Sequence, residues 1–274
     1  MENLMASYRD IFGKLNRAAL IPFFVIGDPD EATSLELVKT AIDAGADILE
    51  LGIPFSDPVA DGPTIQKADI RALQAGMTPR KALDFIAKVT AYKSLPIGLL
   101  VYYNLVNHYG VERFFRDFKA AGGTSVLVAD VSIDDADEIA PPAQKAGLET
   151  VFMATPNTPL ERLKRIAEKT TGFIYTVSLL GTTGERATLS AVVKPLIANL
   201  KKLTDKPVCV GFGISSAEHA VQVALAGADG VIIGSRVVKF IEDNLNRPEM
   251  MKQQVADFIR QVKTALEQIE QKRR

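Results

Sequence analysis

The sequence predicts a closed α/β barrel of eight parallel strands, each followed by a helix, and three observations carry that reading. Short apolar runs recur along the 274 residues, most of them directly after a glycine that ends a helix-like stretch. The runs are continuous rather than alternating, as in parallel strands buried on both faces. The intervals between them carry helix start signals. Eight strands alternating with helices favour a (β/α)8 TIM barrel, with an open doubly wound sheet as the alternative. Residues 1–274 read as a single such domain, because no linker, low-complexity tract or charge run interrupts them.

In chain order, a helix over Tyr8–Leu15 precedes the first strand, Leu20–Val25, and is extra to the repeat. Gly45 stops the next helix before the strand Ile48–Leu51, since glycine at a helix C′ position accepts the left-handed backbone. An irregular loop, Gly52–Pro63, and two helical pieces split at Pro79 lead to Ile97–Val101. Gly122-Gly123 precede Val126–Ala129, and Gly147 precedes Thr150–Met153. Thr158 offers a capping hydroxyl and Pro159 a first helical position for Leu160–Glu168. Gly172 then stops the chain before Phe173–Val177. A glycine-rich loop, Ser178–Thr188, leads on to Val208–Gly211. Ser215-Ser216 start the helix Ala217–Leu225, Gly227 precedes Val231–Ile233, and a second extra helix covers Glu249–Lys272.

Composition removes several classes of function. A net charge of −1 offers no field for nucleic acid or an anionic membrane. The apolar runs are far too short to span a bilayer, and Met1–Ala6 has neither a basic head nor an apolar signal core. The single cysteine, Cys209, lies in an apolar run and reads as a packed small hydrophobe. These features suit a soluble protein of the reducing cytoplasm. His108 and His219 lack metal-ligand spacing, so no metal site is expected. No lysine ends a strand, which argues against a Schiff base, and no serine or cysteine is visibly paired with a histidine.

What remains is carboxylate chemistry. Glu50 falls inside a buried strand, where an ionised acid is costly, and Asp61 closes a loop stiffened by Pro54 and Pro58. Two acids so presented can hold different protonation states before one substrate. The plainer reading is a core carboxylate satisfied by backbone N–H groups, with Asp61 capping a helix. Barrel sites form at the carboxyl ends of the strands. Here those ends are Phe23, Glu50, Leu100 to Tyr102, Ala129-Asp130, Met153, Tyr175, Gly211 to Gly213 and Gly234-Ser235, a mainly apolar and aromatic rim with few acids, suited to a flat ring. The glycines after the last two strands, with a helix beginning at Ser235, suit a phosphate.

The segment Glu-Leu-Gly-Ile-Pro-Phe-Ser-Asp-Pro-Val-Ala-Asp-Gly-Pro-Thr-Ile-Gln, starting at Glu50, resembles the signature of the tryptophan synthase alpha subunit family, and the likeness runs from Ile21 through Lys239. The resemblance implies cleavage of indole-3-glycerol phosphate to indole and glyceraldehyde 3-phosphate. It implies Glu50 as general acid–base and Asp61 as acceptor of the indole N–H. Phe23, Leu100, Tyr102, Ala129 and Met153 would line the ring pocket, and Tyr175 would close over it. Thr183 would orient Asp61 from the loop after the sixth strand, while Gly184, Gly211, Gly213, Gly234 and Ser235 would hold the phosphate. Pro54, Asp57 and Asn104 would face a beta subunit in an α2β2 heterotetramer. No cofactor is implied here, since the family's pyridoxal phosphate belongs to that partner. A stand-alone lyase and a non-catalytic activator of a beta chain are the alternatives.

Overall fold

The computed structural model describes residues 7–177, 189–211 and 213–273. Its strands are β1 (Ala19–Val25), β2 (Leu49–Gly52), β3 (Ile97–Val101), β4 (Ser125–Val128), β5 (Glu149–Thr150), β6 (Phe152–Ala154), β7 (Ile174–Val177), β8 (Val208–Gly211) and β9 (Gly230–Ile233). They run in the order β5-β4-β3-β2-β1-β9-β8-β7-β6, and the eight adjacent pairs are all parallel. Nine segments stand where eight strands were expected, because the fifth changes neighbour half-way. Thr150 pairs with β4 and Phe152 with β7. Val151 between them donates its N–H to the Val126 carbonyl at 3.0 Å. The two segments are thus one stave, and the ring closes.

Both faces of the ring are apolar, as the continuous runs require. Leu20, Phe24, Leu49, Leu51, Leu99, Val126, Ile174 and Val210 belong to the core beneath the helices. Ala19, Ile21, Ile48, Leu127, Val151, Phe173, Tyr175, Cys209 and Ile232 form a separate cluster within the lumen. Cys209 is free and fully buried, a packing residue as expected.

Helix signals act largely where the sequence put them. The helix Tyr8–Lys14 opens with a capping box between Ser7 and Asp10, and its Tyr8 plugs the floor of the barrel. The Tyr8 hydroxyl meets Ser125 Oγ at 2.7 Å. Gly98 is required there, since a Cβ on it would lie 2.9 Å from the Tyr8 oxygen. Gly45 ends its helix at φ 111°, in the left-handed region. The long interval holds helices Pro63–Gln74 and Pro79–Tyr92, divided as expected, and the last helix is Pro248–Arg273. Two details differ. Thr158 caps nothing: its hydroxyl accepts from the Thr155 N–H, and Pro159 takes the cap position of Leu160–Lys169. That helix ends on extended Thr170, so Gly172 is not its stop.

Below the barrel, Asp47 gathers the first and last parts of the fold. Its carboxylate accepts two hydrogen bonds from Arg17, at 2.7 and 3.0 Å, one from the Leu20 N–H and one from Lys263 of the last helix at 2.6 Å. Burial pushes this carboxyl up, but the Arg17 pair, with Leu20 and Lys263, outweighs it and holds the group below the usual range. Asp47→Asn leaves two buried cations short of a partner and should cost about 3–5 kcal/mol in urea unfolding at pH 7. A lowered carboxyl contributes above its unfolded value and is lost as pH falls, so the difference should shrink below about pH 4. An equal loss at pH 7 and pH 3 would contradict the charge-based account.

Candidate active site

At the carboxyl ends of the strands lies a cavity of about 200 Å³, bounded by Phe23, Glu50, Asp61, Ile65, Leu100, Tyr175, Gly213 to Ser215, Ile232 and Gly234 to Arg236. Glu50 reaches it from β2, in register with Phe23 on β1 and Gly98 on β3. Its side chain is 4% exposed and has no hydrogen-bond partner among the described residues. Burial, with the Asp61 charge adding, pushes its carboxyl up to about 8. Glu50 is therefore a neutral acid near neutral pH rather than a carboxylate satisfied by backbone.

Asp61 comes from the loop opposite and does not cap the following helix, whose cap is Gly62 without a side-chain bond. Burial raises its carboxyl as well, but Tyr102 opposes the rise by donating its hydroxyl to Asp61 Oδ2 at 2.6 Å. The same Tyr102 oxygen accepts from the Ala60 N–H at 3.1 Å, and the Phe55 ring stacks on the Tyr102 ring at 5.1 Å. Tyr102 was expected to line the ring pocket. It stands behind Asp61 instead and fixes it. Thr183, Gly184 and the rest of Ser178–Thr188 lie outside the described residues.

Tyr175 faces inward from β7 beside Glu50. Burial, then the charges of Glu50 and Asp61, hold its phenol well above the ordinary value, so it stays protonated. Gly211 makes room for that hydroxyl: a Cβ there would come within 2.2 Å of it. Gly211 is accordingly absent from the cavity wall, although it was expected to hold phosphate. Gly213 does line the cavity, at φ +76°, and its carbonyl accepts from His219 Nδ1 at 3.1 Å. Gly234 caps the helix Ser235–Glu242 without a side-chain cap, and its first turn, Gly234 to Arg236, lines the cavity.

Ala129 and Met153 line a neighbouring cavity of about 410 Å³ with Asp130, Ser132 and Arg162, separate from the Glu50 cavity. Of the residues expected at a partner surface, Asp57 and Asn104 are exposed, whereas Pro54 is buried. Val59, in the same loop, is 83% exposed. Sequence reasoning missed Ile65, Ile214, Ser215, Ile232 and Arg236. Ile232 was legible, because inward positions alternate along β9. Arg236, whose guanidinium lies 4.5 Å from the Phe240 ring centre, follows Gly234-Ser235 directly and could have been taken with them.

A larger cavity, about 920 Å³, opens at the opposite end of the barrel beside Tyr8, Glu149, Lys206 and Asp229. Its acids Glu149, Asp205 and Asp229 stand among the cations Arg9, Arg17, Lys201 and Lys206, and barrel chemistry belongs at the other end. Among the described residues no cluster of His, Cys, Asp and Glu is arranged to hold a metal, and no helix is long and apolar enough to cross a membrane.

A ring of parallel strands with buried acids at its carboxyl rim defines an enzyme of the (β/α)8-barrel class. The family model for the tryptophan synthase alpha chain matches residues 12–267. The tryptophan synthase alpha chain of Methanoregula boonei is 43% identical over 265 residues, covering 97% of this chain and all of its own length. That of Methanothermobacter thermautotrophicus is 45% identical, covering 94% of this chain and 96% of its own. The solved tryptophan synthase complex from Pyrococcus furiosus contains a chain that superposes with a TM-score of 0.82 at 38% identity, over 90% of this chain and 98% of that one. A second P. furiosus structure, of mutual activation in the α2β2 complex, gives 0.84 at 40% identity over the same shares. The chain belongs to the tryptophan synthase alpha chain family.

The buried neutral acid has a stability signature. The native state keeps the Glu50 proton up to about pH 8, whereas an unfolded chain loses it near 4.5. Between those values the native state binds more protons, so wild-type stability falls as pH rises and levels off above about 8. Glu50→Gln cannot ionise. It should be more stable than wild type at pH 8.5 by on the order of 3–5 kcal/mol, with the gain vanishing near pH 4. Urea unfolding at the two pH values checks this, and a gain independent of pH would refute the neutral acid.

Proposed function

We infer that this chain performs the alpha reaction of tryptophan synthase, the cleavage of indole-3-glycerol phosphate to indole and glyceraldehyde 3-phosphate. The observation that carries the reading is the meeting of Glu50 and Asp61 in one small cavity, between apolar walls and a glycine-rich corner. Phe23, Leu100 and Ile232 suit the faces of an indole ring. The N–H groups from Gly213 and Gly234 to Ser235 suit the phosphate.

The chemistry follows from the two protonation states. Glu50, neutral at rest, gives its proton to ring C3, and positive charge develops at the ring nitrogen. Asp61, held by Tyr102, accepts the ring N–H and stabilises that charge. Glu50, now a carboxylate, takes the proton of the hydroxyl on the carbon attached to the ring. The carbon–carbon bond breaks, its electron pair returns to the ring, and the hydroxyl carbon becomes the aldehyde. Glu50 ends protonated, so each turnover restores the acid. Side chains of the chain itself supply every step, and the resemblance assigns pyridoxal phosphate to the beta partner. Tyr175, protonated and beside Glu50, suits a role in closing the cavity, and Thr183 one in orienting Asp61.

A tryptophan synthase beta subunit is the proposed partner in an α2β2 assembly, docking on the exposed Asp57 and Asn104 side. Indole, small and neutral, would pass to it directly rather than escape. A soluble cytoplasmic location fits this role. A stand-alone lyase has the same site without a partner, and a non-catalytic activator would not need the acid pair.

Glu50→Gln should cut cleavage by about 10²–10⁴ while substrate still binds, and Asp61→Asn should be severely impaired as well. Near-normal turnover in Glu50→Gln would remove the assignment. Titrating a beta chain into the assay should raise the rate of indole release. A flat rate with no complex at micromolar concentration would favour the stand-alone lyase.

A further inference from the structure

Helix Pro63–Gln74 starts directly after Gly62, so it shares its first turn with the loop that carries Asp61. Its Asp69 is 4% exposed, and Oδ2 has no hydrogen-bond partner among the described residues. A carboxylate buried in this way is costly, because no cation among the described residues pairs with it. The neighbouring groups make ionisation harder still. Asp61 acts on it from the loop and Asp28 from the segment after β1. Tyr102, bonded to Asp61, lies in the same field. Arg71, on the same helix, is committed to Asp28 through hydrogen bonds of 2.6 and 2.8 Å. On the packed helix Ser235–Glu242, Glu242 is held by Lys67 and Lys239. The Phe55 backbone N–H acts the other way, but burial and Asp61 prevail and push the Asp69 acid up to about 8.

We propose that Asp69 is a positioning residue for Asp61: as the neutral acid it supports the Gly52–Pro63 loop from behind and leaves Asp61 the anion that faces the substrate ring. When Asp69 ionises, a second negative charge stands behind Asp61 and Tyr102, and the loop no longer holds Asp61 in place. The proposal rests on the reading of Asp61 as the ring's partner and extends it to a residue that touches no substrate.

The test is the pH profile of indole-3-glycerol phosphate cleavage from pH 6 to 10 for the full chain, Asp69→Asn and Asp61→Asn. In wild type two protons, on Glu50 and Asp69, must be retained, so log kcat should fall on the alkaline side with a slope approaching −2. Asp69→Asn keeps the shape and cannot ionise. It should match wild type within about threefold at pH 6.5, fall with a slope of −1, and run about tenfold or more faster than wild type at pH 9.5. Asp69→Ser serves as a second neutral variant should Asn not fold. A folded neutral variant with the wild-type slope and midpoint, or one equally impaired at every pH, would overturn the proposal. Full turnover in Asp61→Asn marks failure of the Asp61 reading itself, whereas an inactive Asp61→Asn beside an unchanged Asp69→Asn slope marks failure of the Asp69 proposal alone.

Discussion

The lumen of an eight-stranded ring has a fixed volume, and the arrangement of this molecule follows from how that volume is shared. Four of the inward side chains are each matched by a glycine on a strand. Tyr8 uses the space over Gly98, Phe23 that over Gly52, Tyr175 that over Gly211, and Cys209 that over Gly230. With these pairs in place the interior is filled by rings and aliphatic groups. Water has little room below the rim, and Glu50 meets that dry interior from above. Its retained proton is therefore first a consequence of packing.

The second acid is treated differently by the same fold. Asp61 arrives on a loop rather than a strand, and Tyr102, at the end of β3, gives it a hydroxyl partner. Two carboxyl groups lining one cavity thus receive different help: among the described residues Glu50 has no hydrogen-bond partner, whereas Asp61 accepts from Tyr102. Such divergence is what the proposed division into a proton donor and a charged acceptor requires. Asp61 is held through a chain of contacts, Phe55 on Tyr102 and Tyr102 on Asp61, so its placement depends on residues outside the cavity wall.

Much of this was legible in the sequence. Strand positions came from the glycine stops and apolar runs, because left-handed helix ends and doubly covered strands each restrict residue type strongly. Glu50 was legible because an acid in an apolar strand is anomalous. The contact of Tyr102 with Asp61 was not, since a strand-end tyrosine reads as a pocket wall and its partner lies 41 positions away. Gly211 was misread for a related reason. Its missing side chain serves a phenol on the adjacent strand, and a glycine does not announce which neighbour needs the space. Ala129 and Met153 were placed correctly at the rim, but strand order alone does not say where one hollow ends and the next begins.

The Asp47 cluster sits at the end of the barrel away from the acids. It joins Arg17, which precedes the first stave, to Lys263, in the helix that follows the last. A circularly permuted chain, with these two segments linked and new ends cut in a loop elsewhere on this lower face, would preserve every contact described above. The rim and its loops would be untouched, which makes the lower face the natural place to tether or fuse another module.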